Sequence, residues 1–165
     1  FKQKTAYEIR NCDWSSDVCS SDLRPRTVPR NTYNNLFTTK FFTVNHVKSD
    51  DIEDAHHTSA KYPKEISEFD KTKFEAEYLD GFIAPYVKGS NVRFGCKYLN
   101  EYDIKENNTI LVVASIEHLY VDEKSIGEDG WIRLDKAKTV TINGLDGYAE
   151  TKLIDRFKYA RPKKW

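Results

Sequence analysis

Two long runs of β-forming residues, joined by a short polar turn, set the tightest limit on what this chain can fold into. In "NVRFGCKYL" (Asn91–Leu99), Val92, Phe94, Cys96 and Tyr98 fall on one side, with Arg93, Gly95 and Lys97 on the other. That period of two is the pattern of a strand with one buried face. The turn "KENNT" leads into "ILVVASIEHLYV" (Ile110–Val121), apolar on both faces at first and alternating later. Asn107-Asn108-Thr109 matches a glycosylation sequon, but with no secretory signal it reads as the tip of a hairpin. A further run, "KFFTVNHV" (Lys40–Val47), is aromatic and β-branched, again a strand.

Between these runs, "SDDIEDAHHTSAKYP" reads as a helix capped by Ser49 or Asp50 and stopped by Pro63, with Ile52, Ala55, His56 and Ser59 on one face. "EISEFDKTKFEAEYLDGFIAPYV" mixes short helix and loop. "EDGWIRL" and "KTVTINGLDGY" add turns and strand, "GLDGY" being a turn, and "TKLIDRFKYA" is either a C-terminal helix or an extended tail. Before Lys40 lies "RPRTVPRNTYNNL", a basic opening punctuated by proline. Antiparallel strands, few helices and no regular βαβ alternation predict a mostly β barrel rather than a doubly wound sheet.

The first residues belong to a different kind of text. "KQKTAYEI" (Lys2–Ile9) and "DWSSDVCSSDL" (Asp13–Leu23) both match translations of a short-read sequencing adapter. They share one frame, run in the right order and leave a barcode-sized gap between them. Residues 2–23 therefore resemble translated adapter and are set aside from fold reasoning. The expected organisation is a non-native, disordered segment at 1–23 and a domain at 24–165. Cys12 and Cys19 then carry no disulfide or zinc reading, and Cys96 is the single gene-derived thiol, a small buried hydrophobe suited to a reducing cytoplasm. A chain that holds no methionine and begins at Phe1 reads as a piece of a longer frame.

Charge and motifs remove whole classes of function. Basic and acidic side chains balance at 26 each, which favours neither nucleic acid nor a membrane surface as partner. No apolar run reaches membrane-spanning length, so a cytoplasmic location is expected. The seven glycines form no G-x-G-x-x-G and no phosphate loop. His56 and His57 are adjacent on a helix and point apart, His46 and His118 are isolated, and no metal site is expected. No nucleophile signature appears either, so no catalytic residue is assigned. Any redox chemistry must come from a cofactor.

Taken in order, "RPRTVPRNTYNNL", "FFTVNHV", "AHHTSAKYP", "SEF", "YLDGFIAPYVKGS", "NNTILVV" and "GLDGYAETKLIDRFKYARP" resemble the flavin reductase-like family of FMN-binding split β-barrels. The resemblance spans essentially all of 24–165. It implies a Greek-key antiparallel barrel with a few short helices, FMN as cofactor with NAD(P)H as its reductant, and a homodimer holding flavin at the subunit interface. It also implies the site residues. Arg30, Asn31 and Thr32 match the cluster near the flavin phosphate, and Val44 and Asn45 match the strand beside the isoalloxazine. Thr58, Ser59, Ala60 and Lys61 match the segment that supplies small and basic groups. The chemistry suits those roles, since a phosphate wants a cation, hydroxyls and free backbone N–H groups. Plainer roles are also open: solvated charges for Arg30 and Lys61, a strand-pinning amide for Asn45, a helix end for Thr58 and Ser59.

Two departures stand out: Ala114-Ser115 where members often have Gly-Glu, and Gly89 where they have Glu. The resemblance places the family's first strands before Arg24, so the 165-residue chain is expected to bind FMN weakly or not at all and the intact gene product to bind it well. The expected activity of the intact protein is NAD(P)H-dependent flavin reduction. The alternative is a non-catalytic flavin-binding electron carrier, and a third reading is that the 165-residue chain is itself an inactive fragment.

Overall fold

A computed structural model describes residues 18–23, 31–63, 65–106 and 108–162, the first of these by backbone alone. In chain order the elements are β1 (Val18–Leu23), α1 (Asn31–Thr39), β2 (Phe41–Asn45), α2 (Ile52–His57), β3 (Ala76–Glu77) and β4 (Tyr86–Val87). They continue with β5 (Val92–Ile104), β6 (Thr109–Val121), β7 (Val140–Asn143) and β8 (Gly147–Glu150). The mostly β, antiparallel character expected from the sequence is present.

The hairpin of β5 and β6 is the frame. Its register runs from Val92↔Val121 at the open end to Ile104↔Thr109 beside the turn, with irregularities at Gly95/Cys96 and Tyr98/Asn100. Asn108 holds the turn at φ +57°, a left-handed conformation that asparagine tolerates better than most residues. β2 pairs with the far edge of β5, from Phe41↔Lys97 to Asn45↔Arg93, and β1 pairs with the far edge of β6. The resulting sheet has the order β1-β6-β5-β2, and β3-β4 and β7-β8 form separate small hairpins.

β1 falls within the stretch set aside from fold reasoning: Val18–Leu23 forms a strand in register with Ile110–Ser115. The physical reason is that ladder bonds are made by main-chain groups. The edge of β6 offers unpaired N–H and C=O groups that any extended segment can satisfy.

The predicted buried face is correct. Val92, Phe94 and Cys96 form the main core with Val44, Ala114 and Ala137. Tyr98 continues the line into a second cluster with Leu36, Ile110 and Val112. The opposite face of β5 is covered as well, by the segment around β3 and β4, which brings Phe82, Ala84 and Tyr86 into a third cluster. Gly95 makes that cover possible, because a Cβ built there would stand 2.3 Å from the Tyr86 hydroxyl and 3.1 Å from the Phe82 ring.

α1 was not anticipated. Asparagine and threonine are weak helix formers, and Asn31–Thr39 is rich in both. The helix forms because Tyr33, Leu36 and Phe37 recur at helical spacing and Leu36 is buried against Ile110 and Val112. Thr38 and Thr39 donate back to the carbonyls of Asn34 and Asn35, and the chain turns out at Lys40 with φ +62°. α2 is shorter than expected. A 3-10 turn at Ser49–Asp51 precedes it without a side-chain cap, and it ends at Thr58, well before Pro63. Its buried positions are Ala55 and Thr58, while His56 and Ser59 are exposed. Of the two readings for the C-terminal stretch, the extended tail is correct, since residues 151–162 form neither helix nor strand.

His46 follows Asn45 into the core, where its Nδ1 lies 3.2 Å from the Thr139 hydroxyl. Burial lowers its pKa to about 4. The unfolded chain takes up this proton near the ordinary histidine value of about 6.5, so the folded state is fully favoured above that pH and loses ground as pH falls towards 4. The loss should reach about 2 kcal/mol between about pH 7 and about pH 4.5. Urea unfolding at the two pH values measures it, and His46→Gln should flatten the dependence. An equally steep profile in that variant would place the acid sensitivity in other groups.

Candidate functional site

Asn31 and Thr32 open α1, both half-buried, while Arg30 lies outside the described residues. The first N–H groups of a helix have no carbonyl four residues back to bond. No acceptor among the described residues meets the N–H of Asn31 or Thr32. This end of α1 therefore combines free backbone donors, a hydroxyl and the positive end of the helix dipole, a set suited to a phosphate.

Val44 and Asn45 occupy a different environment. Val44 is in the main core. Asn45 is 2% exposed, and its amide is already engaged. Its Nδ2 donates to the Thr43 hydroxyl at 3.1 Å, and its Oδ1 accepts from the Val87 N–H at 3.0 Å. Thr43 in turn donates to the Pro85 carbonyl at 2.6 Å. The pair of side chains stitches β2 to β4, the strand-pinning role.

The segment after α2 is also partly committed. Thr58 donates to the Ala55 carbonyl and Ser59 to the His56 carbonyl, each at 2.7 Å. The N–H groups of Thr58, Ser59 and Ala60 go to Asp54, His56 and His57. Both hydroxyls thus finish the helix. The negative end of the helix dipole points at the same place and opposes a phosphate there. Ala60 is half-buried, and Lys61 is the exposed cation of the segment. No hydrogen bond or ion pair of the described residues joins the start of α1 to this segment.

Sequence reasoning missed two braces around it. The His56 Nδ1 lies 3.1 Å from the Tyr148 hydroxyl, and the His57 Nε2 lies 2.5 Å from that of Tyr62. Tyr148 is on β8, so "GLDGY" is the expected turn and its last residue also reaches α2. The only advance signal was its place in a matched block.

On the other face of β5, Arg93 pairs with Glu77 at 2.5 Å, and its guanidinium lies 5.7 Å from the Tyr120 ring centroid and 5.9 Å from that of Tyr86. Tyr120 donates to Asp80. Burial first, then the neighbouring Tyr120, pushes the Tyr86 phenol above its ordinary range, and the Asp80 hydrogen bond does the same for Tyr120. Both phenols stay neutral. Among the described residues, the buried Tyr86 hydroxyl and Arg93 Nε meet no hydrogen-bond partner. Among the described residues no group of three metal-ligating side chains occurs, and no helix is long and apolar enough to cross a membrane.

Comparison with known proteins adds four findings. A family model for the flavin reductase like domain matches residues 19–158. A solved structure from Shewanella frigidimarina NCIMB 400, described as a flavin reductase with a split barrel domain, has a TM-score of 0.82 at 38% identity and covers 87% of this chain and 71% of that one. The flavoredoxin of Desulfovibrio vulgaris (Miyazaki F) has a TM-score of 0.71 at 16% identity over 86% of this chain and 74% of its own. An uncharacterized protein of Aquifex aeolicus (strain VF5) is 30% identical over 97 residues, or 57% of this chain, and the chain spans about half, 50%, of that relative's length. The fold is the split β-barrel.

Proposed function

We propose, because this chain belongs to the flavin reductase-like domain family, that the whole protein binds FMN and reduces it with NAD(P)H. It would do so as a homodimer in the cytoplasm. The observation that carries the reading is the open first turn of α1, where Asn31 and Thr32 follow Arg30 with their N–H groups unclaimed. The residues present fit the phosphate end of a flavin: Arg30 for charge, Thr32 for its hydroxyl, the α1 backbone for donors. Lys61, on the exposed segment after α2, supplies a second cation. The flavin itself supplies the electron chemistry, taking a hydride and returning electrons to an acceptor. The protein's share is to hold and orient it.

We further propose that the 165-residue chain carries only part of the flavin pocket, in keeping with the half-length match to its curated relative. The test compares this chain with the gene product read from genomic DNA across the codons before Arg24. The gene product should oxidise NAD(P)H steadily when FMN is added, with this chain slower by about tenfold or more. A flavin that NAD(P)H does not reduce but a protein donor does would replace the reductase reading with that of an electron carrier. Equal rates from both chains would overturn the partial-pocket reading.

A further inference from the structure

Asn143-Gly144 is the single Asn-Gly pair of the chain. Asn143 ends β7, pairs with Gly147 of β8 and leads into the turn at residues 144–146, where Gly144 sits at φ +68°. The Asn143 side chain is exposed and makes no hydrogen bond among the described residues. Such a junction is set up to react with itself. Once solvent base has taken its proton, the Gly144 amide nitrogen can attack the Asn143 side-chain carbonyl carbon, with no Cβ on Gly144 to crowd the approach. The new C–N bond closes a succinimide ring, the bond from Cγ to Nδ2 breaks, and ammonia leaves. Water then opens the ring at either carbonyl. One opening gives aspartate; the other gives isoaspartate, in which the main chain runs through the side-chain carbon. Both products exchange a neutral amide for a carboxylate, and neither needs an oxidant or a cofactor.

Ring closure requires Asn143 to leave its extended conformation, so the end of the hairpin must open. Its setting favours that. Among the described residues β7 and β8 pair only with each other, and a lone two-stranded hairpin is marginally stable in water. Asn143↔Gly147 is the pair next to the turn, while the buried anchor, Val140, is at the far end. Poorly buried ends open before anchored ones. Two other junctions before glycine are better held. The Asp129 carboxylate pairs with Arg156 while the Gly130 N–H donates to the Gly127 carbonyl at 2.8 Å, and the Asp80 carboxylate accepts from Tyr120. We propose that Asn143 is a self-modification site, at which the folded protein deamidates spontaneously to isoaspartate and aspartate. Isoaspartate adds a carbon to the main chain beside Gly144, so the Asn143↔Gly147 pair loses its register. Tyr148, the next residue of β8, braces His56. The modification therefore loosens the link between this hairpin and α2.

Trypsin makes the test direct, because the peptide Thr139–Lys152 contains Asn143 and no other asparagine. The full chain is held at mildly alkaline pH, folded or in urea, and sampled over days. Mass spectrometry follows deamidation of each peptide, and an isoaspartate-specific methyltransferase reads the rearranged product. The peptide Glu106–Lys124 is the internal comparator. Its Asn108 is also exposed at a hairpin turn but is followed by the β-branched Thr109. In the folded chain Thr139–Lys152 should deamidate several times faster than Glu106–Lys124, with isoaspartate among its products. Asn143→Gln should remove that isoaspartate, and aged protein should exchange its β8 amides faster than fresh protein. Deamidation no faster than in Glu106–Lys124, or confined to the chain in urea, would overturn the site. Isoaspartate that persists in Asn143→Gln would do the same, and unchanged β8 exchange in aged protein would overturn the loosening.

Discussion

Replacing Gly95 with valine is expected to destabilise the chain by about 3 kcal/mol, the upper part of the usual range for overpacking. The added Cβ would stand 2.3 Å from the Tyr86 oxygen and 3.1 Å from the Phe82 ring. Tyr86 is 0% exposed, and Phe82 and Tyr120 close around it with ring centroids at 5.7 and 5.3 Å. The tip of a long side chain normally moves aside easily; here it has nowhere to go. Tyr86→Phe alone should be close to neutral or slightly stabilising, because it removes a buried hydroxyl that meets no hydrogen-bond partner among the described residues. Combined with Gly95→Val, it should recover about 1 kcal/mol or more, a coupling characteristic of residues in contact. Urea unfolding of the four proteins measures this. Strictly additive effects would mean that Gly95 and Tyr86 do not meet as described.

Asn45→Ala is expected to cost about 2–3 kcal/mol, since it leaves the Val87 N–H without its acceptor and removes the amide that bridges to Thr43. The flavin consequence distinguishes the two roles open to this residue. If its amide pins β4, FMN affinity in the gene product should fall only as far as the loss of folded protein explains, and β4 should show faster amide exchange. A stable, fully folded Asn45→Ala protein with sharply weakened FMN binding would restore the ring-facing role implied by the family resemblance.

The long hairpin was legible because its signal is local and repeats every two residues. Val92, Phe94 and Cys96 must face one way once the segment is extended, and the burial of Ala114 opposite them completes the core. α1 was illegible because its stabilisation is tertiary: Leu36 is buried against residues more than seventy positions away, which outweighs the poor propensity of asparagine and threonine. β1 was illegible for the opposite reason, as its ladder depends on backbone alone and leaves no mark in residue type. Within the candidate site, the chemical types at Asn31, Thr32 and Lys61 could be read in advance. Whether Asn45, Thr58 and Ser59 face a ligand or their own backbone could not, because either choice uses the same donors and acceptors. In the structure these groups meet Pro85, Val87 and the carbonyls at the end of α2.

The central claim is that the phosphate of FMN is held at the start of α1, and the comparison of FMN with riboflavin tests it most directly. Both flavins are titrated into the gene product, into Arg30→Ala with Thr32→Val, and into Lys61→Ala, with flavin fluorescence as the readout. FMN should bind more tightly than riboflavin by about tenfold to a hundredfold, as charge-assisted hydrogen bonds predict. The gap should close in the α1 variant and largely persist in Lys61→Ala. Equal binding of the two flavins by the unaltered protein, or a gap that survives the α1 variant and disappears with Lys61, would contradict the account.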